Sequence, residues 1–215
     1  MNKQLKLRTL LSIAIGSGVG FLMIGWFTMN GQLQSFDHHV IQYVQSFETP
    51  TLTMIFKTFS HIGSGYGVTL ITVIVCCLFF FKEQRKSIVF AITIVITMLI
   101  NEGVKSIYER QRPTMHRLME ASGHSFPSGH TMMAVSLYTM IVYMVWHYVT
   151  KPMQRFILTV VACAIATTIA LSRIYVGVHY PTDIIGGILC STALLAIIFS
   201  INERLQRRAQ PKNQR

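Results

Sequence analysis

Charge is what this chain has least of. Only 13% of its 215 residues are Asp, Glu, Lys or Arg, about half the share of a soluble domain. Acids are the scarcest, 8 against 19 Lys and Arg, for a net charge of +11. Glu102, Glu109, Glu120 and Asp183 stand apart from one another, so no cluster of carboxylates is available to hold a pair of metal ions, and neither metal nor cofactor is expected. Cysteine is sparse too. Cys76, Cys77, Cys163 and Cys190 fall within apolar stretches and lack C-x-x-C spacing, which argues against zinc and disulfides. Isolated apolar cysteines pack by default in a core. A low-complexity linker is also missing, so residues 1–215 read as one domain.

Long apolar runs fill the space left by charge: 51% of the chain is hydrophobic. About 20 apolar residues cross a bilayer, and six runs qualify, at roughly 9–29, 66–81, 87–107, 131–149, 154–174 and 183–201. The expected class is all-α, a polytopic membrane protein of six transmembrane helices. The first run is as long as a full crossing and has no small-residue cleavage site behind a short apolar core. It reads as an anchor, not a removed signal peptide.

The positive charge has an address. Lys3, Lys6 and Arg8 precede the first run, Lys82, Arg85 and Lys86 separate the second from the third, and Lys151 and Arg155 separate the fourth from the fifth. Arg204, Arg207, Arg208, Lys212 and Arg215 follow the last. All lie on one side, so the positive-inside rule puts both termini in the cytoplasm of a plasma-membrane protein. The basic tail has no aromatic residues between its cations, which suits an anionic leaflet better than nucleic acid. No nucleic-acid partner is expected.

Two longer segments face the other side. In the first, about 31–62, Phe36, Val40, Ile41, Val44 and Phe47 approximate one helical face, with Asp37, Gln42, Gln45 and Ser46 elsewhere. Pro50 opens a second possible helix through Phe56 and Phe59. Two short helices at the outer interface are expected, as a cover for a lateral lipid entrance or as a plain surface cap. The second segment, about 108–130, joins the third and fourth runs.

Three blocks carry the remaining polar chemistry. Lys105 and Arg112 are seven residues apart, about two helical turns, and Pro113 should end their helix near Arg112. Alone, this pair reads equally as snorkelling cations, with Glu102 and Glu109 as local partners for Lys105. Pro127-Ser128-Gly129-His130 opens the fourth run. Ser128 is a good N-cap, Gly129 leaves the backbone open, and a helix N-terminus binds phosphate. The bland alternative is a capped helix with a solvated histidine. In Ser172-Arg173-x5-His179-x3-Asp183, the carboxylate is four residues from the imidazole. It can accept from one ring nitrogen and leave the other as a nucleophile, or simply cap the last helix. By alternation of the runs, all three blocks meet on the outer face, where three cations and two histidines suit a multiply charged oxyanion such as a lipid phosphate. His116, His124 and Glu120 lie in the same loop, without a pattern that assigns them a role.

These blocks, Lys-x6-Arg-Pro, Pro-Ser-Gly-His and Ser-Arg-x5-His-x3-Asp, resemble the three signature motifs of the type 2 phosphatidic acid phosphatase superfamily, complete and in order. The chain looks like its bacterial membrane branch, phosphatidylglycerophosphate phosphatase B-like, which also holds undecaprenyl pyrophosphate phosphatases. The resemblance implies a phosphohistidine on His179, supported by Asp183, with His130 protonating the leaving oxygen and then activating water. Lys105, Arg112, Arg173, Ser128 and the Gly129 backbone would hold the phosphoryl oxygens, so fixed cations would stand where other enzymes use magnesium. The implied partner is a phospholipid or polyprenyl (pyro)phosphate, with phosphatidylglycerophosphate favoured on resemblance alone. A non-catalytic lipid binder or flippase would need the cations but not the two histidines and Asp183. A vanadate-dependent haloperoxidase shares the constellation, but those relatives are soluble.

Overall fold

The computed structural model describes residues 3–209, and among them every regular element is helical. In chain order these are α1 (Lys3–Met29), α2 (Gln34–Gln45), α3 (Pro50–Ile62), α4 (Gly65–Tyr108), α5 (Gly129–Val145), α6 (Pro152–Tyr175) and α7 (Pro181–Ala209). Four of them, α1, α4, α6 and α7, are long and apolar enough to cross a membrane, and α5 is a shorter apolar helix. Lys212 and Arg215 of the basic tail lie outside the described residues.

The second and third apolar runs form one element of 44 residues, α4. A straight helix of that length would reach about 66 Å, roughly twice a bilayer core. Glu83 breaks it, with φ −138° and ψ 44°. The two arms then lie against each other: Val68 of the first shares a buried cluster with Phe90 and Ile94 of the second. At the break, Glu83 meets Lys86 at 3.2 Å and His147 at 2.5 Å, which ties the bend to the end of α5.

Helix α5 is apolar on nearly every side, so it occupies the middle. Met132, Ala134, Leu137, Met140 and Met144 have no exposure, and α4, α6 and α7 pack around it. Its polar residues bond within the bundle, as where Thr97 of α4 donates to Ser136 at 3.0 Å. Helix α1 leans on α7 and presents Ile15, Val19, Leu22, Met23 and Trp26 outward. Such an extent of exposed apolar surface marks a lipid-facing exterior. Cys77 and Cys163 are exposed on that exterior and Cys76 and Cys190 are partly covered, all four as free thiols. The core packing expected of them is therefore corrected, since a helix surface facing lipid accepts apolar residues as readily as a core does.

The face of α2 also differs from expectation. Phe36 and Phe47 are exposed, while Asp37 and Ile41 are buried. Val44 and Gln45 complete the inward side, and Gln45 donates to the carbonyls of His116 and Tyr175. The inward stripe is thus part polar, because α2 packs on loop backbone as well as on side chains. Helix α3 is capped by Thr49, whose hydroxyl accepts from Leu52 N–H, with Pro50 in its first turn. It is pinned to α6 by the Tyr175 hydroxyl, 3.0 Å from Thr53 Oγ1.

Helix α6 ends in a tight turn at Gly177, whose φ is +73°. A Cβ there would collide with the His116 carbonyl and come within 3.0 Å of Gln45 Nε2. Gly177→Ala should therefore destabilise the protein by about 1–3 kcal/mol through strain at φ > 0 alone, with more from the clash. A melting midpoint in detergent equal to that of the parent would show that the turn has another conformation.

Candidate active site

The start of α7 is where the site is assembled. Tyr180 precedes its first turn, and Asp183 reaches back so that Oδ2 accepts from Tyr180 N–H at 2.9 Å. This is the acid half of a capping box. The same oxygen lies 3.2 Å from His179 Nδ1. Both roles weighed for Asp183, capping acid and histidine partner, therefore hold at once. With Nδ1–H donating to Asp183, Nε2 carries the lone pair, and Arg112 Nη1 lies 3.1 Å from it.

Arg112 does not continue α4. The helix stops at Tyr108, and Glu109 takes a left-handed conformation at φ 45°. The expected helix through Arg112 is corrected by four residues: the chain turns off so that Arg110 and Arg112 enter the site from a loop. Arg112 is held there by backbone, donating from Nε to Gly123 O at 3.0 Å, from Nη2 to Ser122 O at 2.9 Å and from Nη1 to Val178 O at 2.9 Å. Lys105 remains in the last turn of α4, 3.2 Å from Glu102. The expected link to Glu109 is through the backbone instead, Glu109 N–H to Lys105 O at 2.9 Å.

Ser128 caps α5 as the sequence predicts, its hydroxyl accepting from Thr131 N–H at 3.4 Å and from Thr131 Oγ1 at 3.0 Å. Its own N–H donates to Asp183 O at 3.0 Å, so the starts of α5 and α7 are tied together. Gly129 is needed for space. A Cβ would stand 2.7 Å from Asn101 Oδ1 and 3.6 Å from Lys105 Nζ. That proximity puts the lysine ammonium beside the N-terminus of α5. His130 follows, its ring facing Gly63, within the electrostatic reach of Arg173, His179, Lys105 and Arg112.

Arg173, at the end of α6, is only 3% exposed and donates from Nη1 to Ser60 Oγ of α3. Its Nε is buried without a hydrogen-bond partner. An orphaned guanidinium donor costs free energy until an acceptor arrives. Lys105, Arg112, Arg173, Ser128, Gly129, His130, His179 and Asp183 thus converge from α4, the following loop, α5, α6 and α7.

Several residues of the site were not singled out from sequence. Arg110 donates to Asp183 Oδ1 at 2.5 Å and to Asp37 Oδ2 at 2.7 Å. Thr182 bonds Asp37 through both N–H and hydroxyl. Ser60 holds Arg173, and Asn101 donates to Pro127 O at 3.2 Å. Position inside a motif block was the available signal for Arg110 and Thr182. A lone acid in an amphipathic outer helix was the signal for Asp37. Of the loop residues, His116 meets Glu48 at 2.8 Å, His124 meets the backbone carbonyl of the site residue Lys105 at 3.1 Å, and Glu120 is exposed.

Beside the site, α5, α6 and α7 border an open apolar groove of about 460 Å3. Thr131, Ala170 and Ile184 form one end, each close in sequence to Ser128, Arg173 or Asp183, and Val142 and Thr159 lie toward the other.

Residues 86–207 match the family model of the PAP2 superfamily, and the chain belongs to that superfamily. The membership expected from the three motifs holds. The chain is 28% identical over 189 residues to phosphatidylglycerophosphatase B of Bacillus subtilis (strain 168), across 87% of this chain and 93% of that protein. It is 30% identical over 115 residues to an undecaprenyl-diphosphatase of Sulfolobus acidocaldarius, across 50% of this chain and 51% of that one. The structure matches the crystal structure of a transmembrane PAP2-type phosphatidylglycerolphosphate phosphatase from Bacillus subtilis with a TM-score of 0.83 at 25% identity, covering 89% and 96% of the two chains.

Burial, then the charges of Arg112, Arg173 and Lys105, hold the His179 imidazole well below its ordinary value, so it is neutral at pH 7. The unfolded chain takes up this proton near about pH 6.5, and the folded chain only at lower pH. Below that value the unfolded state binds more protons, so stability falls as pH drops, by up to about 1.4 kcal/mol per pH unit for one proton. From about pH 8 to about pH 5, the melting midpoint should fall less steeply for His179→Gln than for the parent. Parallel curves would mean that His179 already titrates normally in the fold.

Proposed function

We propose that this protein is an integral membrane phosphatase that hydrolyses the terminal phosphate of phosphatidylglycerophosphate to give phosphatidylglycerol. The observation that carries this reading is His179: neutral, backed by Asp183, and set among Arg112, Arg173 and Lys105 beside the N-terminus of α5. A binding pocket alone has no use for a carboxylate that orients an imidazole. The relatives named for the same reaction support the substrate class.

In this reading Nε2 of His179 attacks phosphorus and the bond to the glycerol oxygen breaks. His130 gives its proton to that oxygen, and phosphatidylglycerol leaves. Water then attacks the phosphohistidine, His130 takes the proton, and inorganic phosphate is released with His179 restored. Arg112, Arg173, Lys105, Ser128 and the Gly129 N–H stabilise the charge on the phosphoryl oxygens. Arg173 Nε gains the acceptor it lacks, and Arg112 turns one N–H from His179 to the phosphate. The dianion also favours the protonated His130 that the first step needs. Among the described residues no group of three or more His, Cys, Asp or Glu is placed for a metal ion, and we assign the electrostatic work to the cations.

The chain acts as one domain. The two arms of α4 cross separately, which with α1, α5, α6 and α7 makes six crossings. Lys6, Arg8, Lys82, Arg85, Lys86 and Lys151 then flank the cytoplasmic ends, both termini are cytoplasmic, and the site faces outward beneath α2 and α3 at the interface. The apolar groove takes one tail of the lipid. A tail leaving the bilayer for an apolar groove exchanges one hydrocarbon environment for another, so the groove positions the phosphate and selects chain shape more than it adds affinity.

Phosphate release in detergent with EDTA should proceed from phosphatidylglycerophosphate in preference to undecaprenyl pyrophosphate and phosphatidic acid. It should fall on the order of 10³-fold or more in His179→Ala and be inhibited by vanadate. Preference for undecaprenyl pyrophosphate would move the assignment to lipid-carrier recycling, the activity named for another relative. No release from any lipid would favour a binder or flippase. Ala166 lines the groove, and Ala166→Trp should slow turnover of long-chain substrates while leaving a short-chain phosphate ester unaffected. Equal effects on both would remove the tail from the groove.

A further inference from the structure

Helix α2 buries a carboxylate completely: Asp37 is 0% exposed. The partners of its carboxylate are distant in sequence. Oδ2 accepts from Arg110 Nη2 at 2.7 Å and from the Thr182 hydroxyl at 2.7 Å, and Oδ1 accepts from Thr182 N–H at 3.0 Å. Arg110 gives its other arm, Nη1, to Asp183 Oδ1 at 2.5 Å and to Thr182 Oγ1 at 2.8 Å. The guanidinium plane sits 3.9 Å from the centre of the Tyr180 ring. Asp183 Oδ2 then meets His179 Nδ1. Charge-assisted bonds therefore run without a gap from the outer helix to the histidine.

We propose that Asp37 and Arg110 are positioning residues for the reaction: Asp37 clamps the Arg110 guanidinium, and Arg110 fixes the Asp183 carboxylate so that it accepts from His179 Nδ1 and leaves Nε2 free to attack. The proposal rests on the phosphatase reading for its catalytic meaning, but the geometry it describes does not. Charge supplies the reason for the arrangement. Asp37 and Asp183 are both buried, and two such carboxylates sharing one cluster cannot both stay ionised without a cation between them. Remove Arg110, and a proton settles on the pair. An Asp183 that carries it competes for the wrong side of the His179 bond. Remove the Asp37 charge, and the fork of Arg110 loses one of its two anchors, so the guanidinium is no longer held in the plane that Asp183 Oδ1 needs. Tyr180 closes the cluster on one side, and Arg112, Arg173 and Lys105 face His179 from the other.

Asp37 also caps α7 from a distance, through Thr182 N–H, and a purely structural role would end there. The test therefore reads His179 itself. The protein is labelled with 15N-histidine in detergent, and the His179 signal is assigned by its loss in His179→Gln. The parent should show the Nδ1-protonated tautomer. Arg110→Gln should lose it, with kcat down by about 10²-fold and KM little changed. Asp37→Asn should weaken both readouts less, and Asp37→Glu should recover them. In the double variant Asp37→Asn/Arg110→Gln, the like-charge repulsion is gone, so turnover and tautomer should recover relative to Arg110→Gln alone, a coupling that a structural cap does not produce. If Arg110→Gln does not fold, Arg110→Lys carries the test: a point charge keeps the cluster's net charge as it is but cannot fork between two carboxylates, so kcat should fall, and parental kcat would overturn the proposal. An unchanged tautomer in the Asp37 and Arg110 variants overturns it as well. A tautomer that responds as expected in a protein that releases no phosphate from any lipid would leave the relay standing and sink the phosphatase reading instead.

Discussion

The site depends on the burial of one carboxylate. Asp183 has no exposure, and a lone charge in that position would be prohibitively costly. Each of its polar groups answers that cost by organising something else. Oδ2 fixes the first turn of α7 and the tautomer of His179. Oδ1 requires Arg110, which draws the loop after α4 into the bundle. The backbone carbonyl takes Ser128 N–H, which sets the start of α5 against the start of α7. Three sequence blocks separated by apolar crossings therefore share one residue as their fixed point. The glycines around it serve the same closeness: a Cβ on Gly186 or Gly187 would meet the Phe126 ring or the Ser128 carbonyl.

Local relations were legible in the sequence, and long-range ones were not. The His179–Asp183 contact spans one helical turn, and the Ser128 cap spans three residues, so spacing alone predicts both. The helix through Lys105 and Arg112 failed because a helical repeat was extended across a loop. Pro113 marks a stop without fixing where it falls, and Glu109 turns off four residues earlier. Asp37 was placed on the polar side of α2 because an acid in an amphipathic pattern normally faces water. Its partners lie 73 and 145 positions away, and nothing in the periodicity of α2 points to them. The same holds for Ser60, whose partner Arg173 is 113 positions distant. In a bundle with a lipid-facing exterior, apolarity also ceases to distinguish inside from outside. Cys77, Cys163 and Phe81 are exposed although their sequence surroundings look like core.

Polarity, by contrast, keeps its meaning in such an environment. A charge among apolar helices has to be paired, near an interface, or functional. The Glu83–Lys86 and Lys6–Glu203 pairs are paired charges. Asp37, Arg110 and Asp183 form a closed network of two acids and one base. The cations beyond it, Arg173, Arg112 and Lys105, have no buried acid of their own: Glu102, the partner of Lys105, is 69% exposed at its side chain, and Arg112 leans on carbonyls.

That imbalance is what gives the site its direction. A cup with surplus positive charge and an unpartnered guanidinium N–H is unfavourable by itself, and it is stabilised only by an anion with several acceptors. Water offers acceptors without charge, and a carboxylate offers charge with two oxygens. A phosphate monoester offers three oxygens and two charges, which matches the donors supplied from α4, α6 and the α5 N-terminus. Burial first, and then the same cations, keep His179 unprotonated, since an imidazolium there would lose its hydration and add to the repulsion. In the proposed reaction, charge placement therefore performs two tasks at once, binding the phosphate and helping to preserve the lone pair of His179. A site built only to hold a headgroup would be better served by a protonated histidine, which adds a donor. Burial and the surrounding charges disfavour that form at His179, which is the arrangement the proposed attack of its free nitrogen requires.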